Sequence, residues 1–288
     1  DSAELNKPTI KPDMPIRADL RDFFKEMKSQ LDDWDTSQHS RWLAWCKELN
    51  KKYPAVLPKH REFNGGINPY HFMDTLFENL GRDDIVVTGN ASACIVSFQA
   101  GKLKLGQRLF SNSGSASMGY DLPASIGAAV AGEGRQVICL AGDGSLQLNI
   151  QELQTVIHYQ LPLKIFVLNN NGYLSIRTSQ KGFFGGTVGE SPDSGVSFPD
   201  TIKLAKAYGF STWRLDSADF LFGLREVLST PGPVVCEVVL DPTQGFEPRQ
   251  SSKQLSDGRI VSAPLEDMFP FLERDELAKN MLIPSWED

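Results

Sequence analysis

No apolar run in this 288-residue sequence approaches the roughly 20 consecutive apolar residues that a helix needs to cross a bilayer. The best runs, 137–141 and 165–168, have the length of buried strands. An excess of positive charge is also missing: 29 Lys and Arg stand against 36 Asp and Glu, a formal net charge of -7. A phosphate backbone is normally gathered by a basic excess, so no nucleic-acid partner and no membrane are expected. Cysteine is sparse, and Cys46, Cys94, Cys139 and Cys236 form no CxxC pair. Cys139 and Cys236 sit inside apolar runs, where cysteine is a small buried hydrophobe, and disulfide or zinc readings rank low. Residues 1–13 are charged and lack the apolar core of a secretory signal, so a reduced, cytoplasmic protein is expected. His39, His60 and His71 have no carboxylate or cysteine companion at metal spacing, which leaves surface or capping roles; His158 near a helix end suits the helix dipole.

What is present begins with an irregular stretch. Residues 1–18 are rich in Pro and charge, and helices are expected over 19–31 and 40–52, the second with a stripe of Trp42, Leu43, Trp45, Cys46 and Leu49. Pro54, Pro58 and Gly65-Gly66 break that pattern, so 1–60 reads as a connector or the end of a domain upstream. From Asn68 onward helix and strand alternate. Helices are expected at 69–79, 119–131, 149–159, 202–208 and 218–229, with strands at 85–87, 137–141, 164–168 and 234–240. Short apolar strands between helices specify an α/β fold, a mostly parallel sheet with helices on both faces, over 61–240. Beyond residue 240 the periodicity fades. The polar 241–264 loop carries isolated apolar groups, Phe246, Leu255, Ile260 and Val261, so 241–288 reads as an extension packing on the domain or at the entrance of its site.

Ligands of such sheets collect outside the carboxyl ends of the strands, which singles out 88–92, 142–145 and 169–173. Asp143 leaves an apolar strand between Gly142 and Gly144, which permit a sharp turn and a close approach to a ligand. Its carboxylate is a hard ligand suited to Mg2+, with Ser145 and the Gly144 N–H within reach of phosphate oxygens. Asn169-Asn170 closes the next apolar strand, and one helix and one strand fit between Asp143 and Asn170, which makes their loops neighbours. Asn170 then offers an amide oxygen and Gly172 a carbonyl. Singly, each motif is also an ordinary turn. Tyr173, Ile176 and Arg177 follow, to line a substrate pocket or to serve the fold, and the glycine-rich 181–195 is either a lid or an exposed loop.

The residues GDGS (142–145), NIQELQTVIHY (149–159) and LKIFVLNNNGY (163–173) resemble the diphosphate-binding motif of thiamine diphosphate-dependent enzymes, most closely the acetolactate synthase large-subunit group. SNSGSASMGYDLPASIGAAVA (111–131) resembles the segment preceding that motif, DSAELNKPTIKPDMPI (1–16) the end of that group's central domain, and SSKQLSDGRIVSAPLEDM (251–268) the tails of synthase-like relatives. The resemblance implies thiamine diphosphate and Mg2+ as cofactors, with Asp143, Asn170 and the Gly172 carbonyl as metal ligands. Gly89, Asn90, Ala91 and Ser92 then fall where N–H groups hold the diphosphate, and Gly142, Gly144, Ser145, Tyr173 and Leu174 complete the cofactor-binding set. Met118, a core side chain by composition alone, falls where a bulky residue supports the bent cofactor, and Ala116 where a carbonyl meets the aminopyrimidine. Where the group carries a Gln-His pair this chain has 88–93, TGNASA, without an imidazole.

The resemblance further implies that a glutamate activating the cofactor belongs to a pyrimidine-binding domain, on the same or a partner subunit, and outside these residues. No catalytic residue is therefore assigned in this chain, neither Glu133 nor Glu152. FAD belongs with the central domain of the full-length enzyme and is not expected here. The expected function is the cofactor-binding part of a carboligase acting on a small α-keto acid such as pyruvate, as a homodimer or homotetramer when complete. A 2-keto acid decarboxylase and an inactive cofactor-binding fragment are the alternatives.

Overall fold

In the computed structural model, which describes residues 1–9, 11–31, 34–254 and 258–283, the chain divides into the units Asp1–Pro54 and Ala55–Asp288. The first unit contains α1 (Ser2–Leu5), α2 (Leu20–Gln30) and α3 (Ser40–Lys52). Asp19 caps α2 by accepting the Arg21 N–H at 2.8 Å, which satisfies a donor that the helix itself leaves free. Neither α2 nor α3 holds a buried residue, and the stripe on α3 shows itself as a Trp42–Trp45 stack with centroids 4.9 Å apart.

The second unit opens with α4 (Pro69–Asn79), where Pro69 needs no donor at the first helical position and Asn68 accepts the Tyr70 N–H at 2.9 Å. There follow β1 (Ile85–Thr88), α5 (Ala91–Ala100), β2 (Arg108–Phe110), α6 (Asp121–Ala131), β3 (Val137–Gly142) and α7 (Asp143–Leu146). After a 3-10 turn at Gln147–Glu152 come α8 (Leu153–His158), β4 (Leu163–Asn169), α9 (Leu174–Phe184), α10 (Thr201–Tyr208), β5 (Ser211–Leu215), α11 (Leu221–Ser229) and β6 (Val234–Val239). The 241–264 region, expected to be a loop, contains an antiparallel pair, β7 (Ser252–Gln254) with β8 (Ile260–Ser262), and α12 (Arg274–Asn280) follows. Leu255 lies outside the described residues.

The six strands β1 to β6 form one parallel sheet in the order β2-β1-β3-β4-β6-β5. Alternate residues of the central strands feed two cores. Phe72, Ile138, Phe166 and Cys236 belong to the core shared with α4, α5 and α11, whereas Leu122, Cys139, Ile165 and Leu153 belong to the core under α6, α8 and α10. Both strand cysteines are free and buried, and burial pushes their thiols far up. Lys164 is the exception in β4: a buried ammonium donates to the carbonyls of Thr230 and Gly232.

Several expectations change. The helix expected over 149–159 is broken, because the Asn149 amide donates to the Gly119 carbonyl at 2.6 Å and pulls its own backbone to φ -136, ψ 32. The 88–92 loop turns into α5 at Ala91, and the lid or loop expected at 181–195 begins with the last turn of α9. His60 is not at the surface: only 1% exposed, it stacks on Tyr70 at 4.6 Å while its Nδ1 accepts the Leu57 N–H at 3.1 Å, a capping role in a buried place. Among the described residues no helix is long and apolar enough to cross a membrane.

Candidate functional site

Chain direction creates the site. From β1 the chain crosses to β2 on one side, while from β3 it crosses to β4 on the other, so the connections diverge between β1 and β3. A crevice opens at such a switch point because no crossover covers it. There the carboxyl ends of β1, β3 and β4, the start of α5, the loop before α6 and the start of α9 surround a cavity of about 130 Å3. That is smaller than the roughly 300–1,000 Å3 of most small-molecule pockets.

Of the sequence-predicted residues, Asn90, Ala91, Ser92, Met118, Gly142, Asp143, Gly144, Ser145, Asn170, Gly172, Tyr173 and Leu174 all line the cavity. Gly89 and Ala116 do not. The Gly89 N–H is taken by the Leu140 carbonyl at 3.0 Å, so it is not free for a phosphate, and a Cβ there would lie 2.3 Å from Asp121 Oδ2. Ala116 stands beside the wall, where its carbonyl faces Asn90 Nδ2 at 3.5 Å. Ala91, Ala116 and Asn171 adopt φ values of 47, 48 and 58 degrees. Left-handed non-glycine residues of this kind concentrate where a site imposes its own geometry.

Asp143 is 6% exposed, and each carboxylate oxygen accepts one N–H: Oδ1 from Gly144 at 2.8 Å and Oδ2 from Gly172 at 3.1 Å. Burial raises its pKa to about 6, against the opposing pull of those N–H groups and of Arg177. Each oxygen keeps a lone pair for a cation, which would reverse that burial effect. Asn170 Oδ1 is buried without any hydrogen-bond partner, although Asn170 lines the same cavity. A buried acceptor left unpaired is costly, and a cation is one group that satisfies it. Among the described residues there is no cluster of three His, Cys, Asp or Glu side chains. The side-chain donor set on this wall is therefore one carboxylate and one amide oxygen, which suits a hard cation whose remaining ligands come from main-chain carbonyl, phosphate and water. The residues present fit Mg2+ with a diphosphate.

Two groups of the motif already have partners within the chain. The Gly144 N–H serves its own neighbour's carboxylate and is not directed at phosphate. The Ser145 hydroxyl is likewise engaged, donating to Asp121 Oδ2 at 2.5 Å and accepting the Gly119 N–H at 2.8 Å. Gly144 is small for a reason unrelated to turning: a Cβ there would lie 2.2 Å from the Tyr173 ring, which packs across it. Tyr173 is braced from behind by an edge-on contact with Phe198 at 5.4 Å.

Tyr173 and Ile176 line the cavity and Arg177 does not; its guanidinium turns back onto main-chain carbonyls and Glu190. Sequence reasoning missed Ala93, Leu168 and Ser175 on the wall. It also missed Asp121, fully buried, which joins the loop before α6 to the loop after β3 through Ser145. Burial raises the Asp121 carboxyl above its ordinary range, against the hydrogen bonds from Ser145 and Leu122. An acidic residue opening an apolar helix of small residues was the available signal, and it reads equally as a helix-dipole partner.

Comparison with known proteins agrees with this geometry. Residues 89–238 match the family model of the thiamine pyrophosphate enzyme C-terminal TPP binding domain. The chain is 30% identical over 253 residues to an acetolactate synthase large subunit of Cyanidium caldarium, covering 86% of this chain and 42% of that protein. It is 28% identical over 252 residues to the acetolactate synthase isozyme 1 large subunit of Escherichia coli (strain K12), covering 86% of this chain and 43% of the relative. The chain thus spans about two-fifths of the length of these curated relatives. A solved structure, the thiamine diphosphate-dependent 4-hydroxybenzoylformate decarboxylase of Rhodococcus jostii RHA1, superposes with a TM-score of 0.55 at 27% identity, over 66% of this chain and 34% of that one.

Proposed function

This chain belongs to the thiamine pyrophosphate enzymes, whose C-terminal TPP binding domain it carries, and on that premise we propose that it anchors the cofactor of an acetolactate synthase-like carboligase acting on an α-keto acid such as pyruvate. Asn170 Oδ1 carries the reading: a buried oxygen without a partner, on the cavity wall shared with Asp143 and Gly172. These three would hold Mg2+, the Gly172 carbonyl completing the protein's share. Asn90, Ala91 and Ser92 open α5 toward the cavity, where free helix N–H groups favour a diphosphate. Ser92 Oγ is also buried without a partner. Met118 would support the bent cofactor from the loop before α6.

When bound, thiamine diphosphate supplies the electron sink on which an α-keto acid loses CO2. The residues of this chain bind, orient and exclude water. Leu168, Leu174 and Ile176 form an apolar part of the wall, and Asp143 and Tyr173 are the ionisable side chains among its lining residues. Membership of this family would place a glutamate of a pyrimidine-binding domain, from the same or a partner subunit of a homodimer or homotetramer, beside the aminopyrimidine of the bound cofactor. A second reading, decarboxylation without ligation, draws support from the likeness to the 4-hydroxybenzoylformate decarboxylase. Giving the complete enzyme pyruvate with and without acceptor aldehydes or keto acids separates the two: a ligated product supports the carboligase, and CO2 with a free aldehyde alone supports the decarboxylase.

Calorimetric titration with thiamine diphosphate and Mg2+ tests the anchor. Replacing Asp143 by Ala is expected to weaken Mg2+-dependent cofactor affinity by at least about a hundredfold, since it removes the one charged ligand. Equal binding before and after the substitution would remove Asp143 from the site.

A further inference from the structure

Resting on that reading, we infer that Arg177 is the positioning residue of the metal loop: its guanidinium gathers the main-chain carbonyls of Asn170, Asn171 and Pro242 while buried Glu190 holds it in place. Nη1 donates to Asn170 O at 3.3 Å and to Pro242 O at 3.1 Å, Nη2 to Asn171 O at 2.9 Å, and Nε to Glu190 Oε2 at 2.7 Å. Three carbonyl dipoles pointing at one place repel one another unless a cation sits among them. Arginine suits this place because its planar fork carries five donors in fixed directions, whereas a lysine ammonium is a point charge on a flexible stem. The side chain is only 11% exposed and that of Glu190 only 5%, so water does not replace these bonds.

The clamp has a geometric consequence for the loop. Asn171 is held at φ 58 and Gly172 at φ 140, and the Tyr173 N–H donates to Glu190 O at 2.8 Å. A Cβ at Gly172 would lie 2.0 Å from Glu190 O and 2.9 Å from Arg177 Nη2, so the chain passes against the clamp with no room to shift. Asn170 and Gly172, which offer the proposed metal its amide oxygen and carbonyl, are thereby oriented from behind by a side chain outside the cavity lining. Pro242 brings the C-terminal extension to the same cation, so the beginning of that extension and the metal loop are fastened at one point. Glu190 in turn accepts the Ser191 hydroxyl at 2.9 Å, which ties in the segment after the glycine-rich turn.

Two measurements on the 288-residue chain, comparing wild type with Arg177→Lys, Arg177→Met and Glu190→Gln, test this. In cofactor-free protein, amide hydrogen exchange over 170–173 is expected to accelerate at least about tenfold in both Arg177 variants while strands β3 and β4 stay protected. Arg177→Lys, which keeps the charge beside Glu190, is expected to preserve protection over 186–195 and still lose it over 170–173. With thiamine diphosphate present and well below the melting temperature of each protein, Mn2+ affinity read by electron paramagnetic resonance is expected to fall about ten- to hundredfold in all three variants. A merely structural role lowers the melting temperature and leaves Mn2+ affinity in the folded protein unaltered, and that result overturns the inference, as does unchanged exchange over 170–173. If wild type takes up no Mn2+ with thiamine diphosphate, the cofactor reading fails, while the exchange measurement still decides whether Arg177 sets the loop.

Discussion

The loops that follow β3 and β4 line the same cavity, yet they are held by different means. After β3 the chain passes directly into α7, so Asp143 finds an N–H on the adjacent Gly144, and one buried side chain, Asp121, secures Ser145. After β4 the carbonyls of Asn170 and Asn171 face the Arg177 guanidinium instead of a helix of their own. This loop is restrained by Arg177 from α9 and by Glu190, and by Asn169, which accepts the Asn171 N–H at 2.9 Å and donates to Glu237 at 2.7 Å on β6. Glu237 is in turn held by Arg214 of β5 at 2.5 Å. A loop that enters a helix at once finds donors nearby. A loop that must present carbonyls to a cation has to import donors from distant elements.

That contrast can be broken or sharpened by substitution. The largest effect lies beneath both loops: Phe166→Ala in β4 should lower unfolding free energy by about 3–5 kcal/mol, because a fully buried ring leaves a cavity that the helices packed on that face of the sheet cannot fill. Urea denaturation would show it, and a loss under about 1 kcal/mol would mean that those helices collapse onto the gap. Next comes Gly144→Ala, which drives a methyl to 2.2 Å from the Tyr173 ring and links the two loops directly. It should cost roughly 1–3 kcal/mol, largely recovered in the Gly144→Ala, Tyr173→Ala pair, and additive losses in that double-mutant cycle would refute the contact.

Asn169→Ala leaves the Asn171 N–H without its acceptor and Glu237 without one donor, at about 1–3 kcal/mol. Exchange over 170–173 should rise with no change over 142–145; equal changes in both loops would dissolve the distinction between them. The smallest effect is a slope. Burial raises the Asp121 carboxyl above its ordinary 3.8, so the folded state prefers the protonated form. Between 3.8 and the raised folded value the native state binds the extra proton. The stability this group contributes is therefore complete below the ordinary value and is lost as pH rises through the folded one. Asp121→Asn cannot titrate and should lose that part of the slope. Parallel stability-versus-pH curves for the two proteins would refute the assignment.

The legible parts of the sequence were those with strong patterns. Helices α3 and α4 and strands β3 and β4 fell where apolar periodicity put them, give or take a residue or two. Strand β2 is three residues at an edge and β5 is only partly buried, so neither shows an apolar run. Helix α5, ASACIVSFQA, has little polar face to reveal its period. Gly144 was legible as a glycine needed near a ligand, but its reason, the Tyr173 ring, lies twenty-nine residues further along the chain.

The sequence by itself determined the layered parallel sheet and the placing of Asp143 and Asn170 at strand ends, because burial of a strand on both faces and exit into a polar loop are written locally. Only the tertiary structure decided how those loops are held and which donors remain free. Asp121, Arg177, Glu190, Glu237 and Pro242 come from separate elements, and a carbonyl or carboxylate takes its partner from whatever the sheet order brings within about 3 Å, which no spacing along the chain encodes.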